Sequence, residues 1–121
     1  MSKIDLQMTI LPDIEMYGGD TTPWYIQLVH GSGIGFTYSE ASGYTSRLTI
    51  APYVSVTGGG YAVQKTGTIS SYGDGSAAAV FSFVENDTKT LFGKYIYQVE
   101  FTNGTEKRIG QGTLTIRRNI A

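Results

Sequence analysis

The sequence predicts an all-β fold, an immunoglobulin-like two-sheet antiparallel β-sandwich, and three observations predict it. Apolar and polar residues alternate with period two in run after run. The 16 glycines are scattered between those runs as turn residues and do not form a block. The runs recur at about 8–12-residue spacing with no long helical pattern among them. The clearest run is Gly93 to Phe101, where Tyr95, Tyr97, Val99 and Phe101 share one face. Lys94, Gln98 and Glu100 share the other, with Ile96 as its one apolar exception. A small Greek-key barrel is the alternative closure of the same strands.

Taken in order, strands are predicted at Leu6–Ile10, Ile14–Tyr17, Trp24–Val29, Arg47–Ala51, Tyr61–Ser70, Ala79–Val84, Lys94–Thr102 and Lys107–Arg117. Each is rich in β-branched or aromatic residues and bounded by Gly, Pro, Asn or Asp. Alternation turns Trp24, Ile26 and Leu28 inward, then Leu48 and Ile50, Phe81 and Phe83, and Leu114 and Ile116. Trp24 with Tyr95 and Tyr97 fills the space between sheets, with no Cys–Trp–Cys pattern in the chain. Asn103-Gly104 suits a type I′ turn closing the last hairpin, since both residues tolerate positive φ. One helical turn is expected at Glu85–Leu91, capped by Asn86 and Asp87, with Leu91 or Phe92 packed into the end of the core.

With 121 residues the chain is one domain, 1–121, large enough to close a core without staples. It has no cysteine, which excludes a disulfide framework, a thiolate metal site and a cysteine nucleophile. No apolar run reaches the length of a membrane span. Asp5 interrupts the place where a secretory leader would be apolar, so no signal peptide is predicted. A formal net charge of −1 gives no general attraction to nucleic acid. Neither membrane nor nucleic acid is therefore expected as a partner.

No catalytic, metal-binding or cofactor-binding constellation emerges. His30 is the only histidine and has no Gly-x-Ser-x-Gly elbow or second metal ligand to work with. Gly31-Ser32-Gly33-Ile34-Gly35 echoes a phosphate loop, but Phe36-Thr37-Tyr38-Ser39 after it reads as no helix start. Asp74 and Asp20 stand in Gly-rich turns, and neither has the companion oxygens of a calcium loop. Arg117-Arg118 suits a solvated edge or an acidic neighbour. The sequence therefore reads as non-enzymatic and cofactor-free.

Nine tyrosines are the one enrichment with functional colour, because tyrosine gives wide amphipathic contact at low entropy cost. Tyr95 and Tyr97 belong to the core. Tyr38, Tyr44, Tyr53, Tyr61 and Tyr72 fall in or near loops, as does Tyr17. With Ile96, which suggests a covered sheet face, those five are the candidate interaction surface. Tyrosines exposed on loops would also suit stacking on sugars, which makes a carbohydrate-binding sandwich the alternative function.

Three stretches carry a resemblance. They are Tyr17-Gly18-Gly19-Asp20-Thr21-Thr22, then Gly43-Tyr44-Thr45-Ser46-Arg47-Leu48-Thr49-Ile50, then Gly93 to Phe101 followed by Gly110-Gln111-Gly112-Thr113-Leu114-Thr115-Ile116. In that order the chain resembles the small immunoglobulin-like domains of tailed-bacteriophage and prophage tail proteins, notably the N-terminal module of baseplate upper proteins. The resemblance implies a non-enzymatic virion structural part, assembled in the bacterial cytoplasm. It would dock onto other tail, baseplate or fibre proteins or onto itself as a homo-oligomer.

Overall fold

The protein, a computed structural model, is described over residues 2–5, 11, 13–29, 37–52, 61–71 and 77–118, with backbone alone at 2–5, 28 and 29. Among the described residues nine strands and two single helical turns follow one another as β1 (Ser2–Asp5), β2 (Ile14–Tyr17), β3 (Trp24–Val29), α1 (Tyr38–Ala41), β4 (Thr45–Pro52), β5 (Val63–Thr66), β6 (Thr68–Ser71), β7 (Ala77–Phe81), α2 (Glu85–Thr88), β8 (Gly93–Thr102) and β9 (Lys107–Arg117). They form two sheets, ordered β1-β3-β7-β6 and β2-β9-β8-β4-β5. The fold is all-β and two-sheeted, as the alternation predicts.

The sheets are not wholly antiparallel, which corrects the expectation. Strand β1 runs parallel to β3, and β2 parallel to β9. The second register explains itself: Ile14 lies opposite Leu114 and Met16 opposite Ile116, so the apolar residues of both strands share the inner face. The predicted strand Leu6–Ile10 lies outside the described residues.

The predicted single strand Tyr61–Ser70 is two strands in different sheets. Strand β5 pairs with β4 and β6 with β7, and the chain changes sheets at Gly67. A Cβ at Gly67 would run into Ser46 Oγ and lie 2.8 Å from Phe81 Cε1. Glycine is thus required where the backbone passes between the layers.

The core is built largely from the predicted inward positions, joined by Leu11, Met16 and Val63, while the side chain of Leu28 lies outside the described residues. Ile26, Leu48, Ile50, Phe81, Tyr97, Val99, Phe101, Leu114 and Ile116 are all at most 1% exposed. Trp24 packs at their margin, 5.3 Å from the Phe83 ring and 5.4 Å from Tyr97 in an edge-on arrangement. Tyr97 lies over Gly112, its cross-strand partner, whose absent side chain makes room for the ring. Leu91 packs against the core, whereas Phe92 points out.

Helix α1 corrects the expectation that Thr37-Tyr38-Ser39 begins no helix. Thr37 Oγ1 accepts the Glu40 N–H at 3.3 Å and Glu40 Oε1 accepts the Thr37 N–H at 2.9 Å, a reciprocal capping box. Helix α2 occurs where predicted, but its N-cap is Val84 and Asp87 is its third residue. The hairpin turn differs too. Gly104 has φ +94° but Asn103 keeps negative φ, so the turn is not type I′. Instead Asn103 Oδ1 accepts the N–H groups of Thr105 and Glu106 at 3.1 and 2.7 Å, which organises a four-residue loop between paired Thr102 and Lys107.

Helix α2 ties distant elements together. Asp87 Oδ2 accepts from Val84 N–H at 2.7 Å and meets Lys65 Nζ at 2.7 Å, while Thr88 Oγ1 accepts the Gly19 N–H at 2.9 Å. Burial works against the charged form of Asp87. The hydrogen bonds from Lys65 and Val84 and the Lys65 charge nevertheless hold its carboxyl below the ordinary 3.8. A lowered folded pKa stabilises above the unfolded value and is lost as pH falls through the folded one. Asp87→Asn should therefore cost about 1 kcal/mol at neutral pH. The urea stabilities of the two proteins should draw together as pH falls from 3.8 through the lower folded pKa, whereas a gap that stays constant over that fall would assign the effect to packing.

Candidate interaction surface

The outward residues of the five-stranded sheet form cross-strand rows fixed by register. Gln64, Thr49, Gln98 and Gln111 make one, in which Gln64 Nε2 donates to Thr49 Oγ1 at 3.2 Å and Gln111 Nε2 to Gln98 Oε1 at 2.8 Å. Ala51, Ile96 and Thr113 make the next, and Ile96 is half-buried there. The apolar exception noted at Ile96 thus stands beside one small apolar neighbour on a face that is mostly amide and hydroxyl.

On the other side of the glutamine row, Thr66, Arg47, Glu100 and Ile109 lie abreast, followed by Thr45, Thr102 and Lys107. Glu100 receives Arg47 Nη2 at 3.3 Å and Lys107 Nζ at 3.6 Å. A shallow depression of about 290 Å³ is lined by Thr45, Ser46, Arg47, Thr66, Glu100 and Thr102. At the β2 edge Arg117 meets Glu15 through two nitrogens, at 2.9 and 3.2 Å. The hydrogen bond and charge of Arg117 lower the Glu15 pKa, and the Thr22 N–H does the same for Asp20. Among the described residues no three His, Cys, Asp or Glu side chains gather as metal ligands would. No helix among them is long and apolar enough to cross a membrane.

The tyrosines divide. Tyr38, at the start of α1, and Tyr61, just before β5, are exposed. Tyr44 is half-buried and packs against the core. Tyr53 and Tyr72 lie outside the described residues, as do His30, the Gly31–Gly35 stretch and Asp74. Phe92 is 60% exposed, with the Arg118 guanidinium 4.7 Å from its ring centre. Val84 and Tyr17 are similarly open. The only sequence signal for Phe92 is its place beside Leu91, since adjacent positions ahead of a strand cannot both face inward.

No protein-family model and no curated protein matches the sequence. Among solved structures, an endo-fucoidan hydrolase of glycoside hydrolase family 107 is similar at a TM-score of 0.43 and 13% identity. That likeness covers 93% of this chain and 13% of the hydrolase.

Proposed function

We propose that the protein is a non-enzymatic docking module of a phage or prophage tail, baseplate or fibre, acting through its exposed side chains and strand edges. The observation that carries this reading is the set of large apolar side chains left open on a sheet scaffold. Tyr17, Tyr61, Val84 and Phe92 are each more than half exposed. Exposed aromatic groups favour protein contact, because tyrosine and phenylalanine lose little side-chain freedom when they are covered. Strands β2 and β5 end the larger sheet among the described residues, and an edge strand offers main-chain groups to a neighbouring strand.

Light scattering over a wide concentration range, with mass spectrometry of purified tails from cells that make the protein, tests this. Self-association or recovery in the tail particle is expected, and Phe92→Ser or Tyr61→Ser should weaken it by about tenfold each. A protein that stays monomeric throughout and is missing from the particle would refute the reading.

A further inference from the structure

We infer that the depression over β4, β5 and β8 is a binding site for a neutral pyranoside sugar, recognised through Glu100 and the two cations beside it. This assignment is independent of the docking reading, since it uses none of the exposed apolar side chains named for that role.

The site is made by strand register. Arg47 lies directly between Thr66 and Glu100, and Thr45 lies opposite Thr102. Beneath this floor Leu48, Val99 and Phe101 are buried, so the polar side chains stand on a packed, hydrogen-bonded sheet. Rigid support of that kind is what a precise binding geometry needs. The volume, about 290 Å³, sits at the low end of small-molecule sites and suits one or two sugar rings.

The polar groups in it are under-used. Charge-assisted N–H···O bonds normally close to about 2.7–2.9 Å. Here Arg47 stops at 3.3 Å and Lys107 at 3.6 Å from the Glu100 oxygens, and Thr45 Oγ1 reaches the Thr102 carbonyl only at 3.4 Å. The Glu100 side chain is 13% exposed, while those of Arg47 and Lys107 are more than half exposed. The acceptor is mostly buried and the donors reach into solvent. A carboxylate has about four lone-pair sites, and each sugar hydroxyl both donates and accepts. Adjacent ring hydroxyls can donate to Glu100 while accepting from Arg47 or Lys107, which replaces long contacts with short ones.

Glu100 would repel a phosphate brought against it and Arg47 and Lys107 would repel a cation, whereas ring hydroxyls can donate to the carboxylate and accept from the cations. Ile109, opposite Glu100 on β9 and exposed, lies next to the depression as an apolar neighbour for the C–H face of a ring.

The test is an amide-shift NMR titration of the whole chain with methyl glucoside, methyl galactoside, methyl N-acetylglucosaminide and inorganic phosphate. At least one glycoside should give saturable shifts centred on Thr45–Arg47, Thr66 and Glu100–Thr102, with a dissociation constant on the order of 1 mM. Glu100→Gln and, separately, Lys107→Ala should weaken it about tenfold or more while leaving the remaining spectrum in place. Lys107→Ala changes only a side chain at the solvent-facing end of a hairpin, so it reports even if Glu100→Gln disturbs the sheet. No saturable shift with any glycoside overturns the proposal. So does saturation by phosphate alone, or glycoside binding that survives both variants.

Discussion

Tyr97→Ala is expected to destabilise the protein by about 3–5 kcal/mol, the range for deleting a large buried aromatic side chain. Tyr97 is fully buried, lies edge-on to Trp24, and covers the backbone of Gly112 on the neighbouring strand. Three features keep the resulting cavity from closing. Gly112 has no side chain to move into it, β8 is paired on both sides, and Trp24 also packs against the Phe83 ring. Since domains of this size have total stabilities of about 5–15 kcal/mol, the variant should sit near the edge of folding. Urea unfolding followed by Trp24 fluorescence and circular dichroism measures it. A loss below about 1 kcal/mol would mean that the ring is not a keystone between the sheets. Tyr97→Phe keeps the ring and isolates the hydroxyl, and it should retain most of the stability.

Gly67→Ala should cost about 2–3 kcal/mol by overpacking, with a diagnostic partner. The new Cβ meets Ser46 Oγ and the Phe81 ring, and Phe81 is fully buried. Ser46 Oγ is itself buried with no hydrogen-bond partner among the described residues. An unsatisfied hydroxyl lowers stability, so Ser46→Ala alone should be neutral or stabilising by up to about 1 kcal/mol. In Ser46→Ala/Gly67→Ala the clash with the hydroxyl is gone and only the aromatic contact remains. The double variant should then be more stable than the sum of the singles by about 1 kcal/mol. Additive losses would show that the chain crosses between sheets without touching Ser46.

The proposed sugar site and the apolar surface differ in how far they could be foreseen. Tyr38 and Tyr61 stand exposed where loop position suggested, and Ile96 is on the outward face where parity put it. The exposure of Phe92 and Val84 is not legible in the sequence, which offers Phe92 as a core alternative to Leu91 and places Val84 at the end of a strand, because one apolar residue beside a short turn carries no periodicity to read. Arg47, Glu100 and Lys107 could not be grouped in advance. Arg47 and Glu100 are separated by 53 positions, and only the pairing of β4 with β8 places them side by side.

Alternation along the chain identifies most of the large side chains that form the interior. Trp24, Ile26, Leu48, Ile50, Phe81, Tyr97, Val99, Phe101, Leu114 and Ile116 all turn inward as read, because successive residues of a strand must point to opposite faces. It carried no information about which sheet a strand joins. Val63–Thr66 and Thr68–Ser71 look continuous in sequence, yet a close contact at Gly67 sends them to different layers. The same holds for the parallel placement of β1 and β2, the capping box that starts α1, and the asparagine-organised turn at Asn103. Each depends on which neighbour accepts a hydrogen bond or yields space, and that is set by contacts between segments and not by periodicity within one.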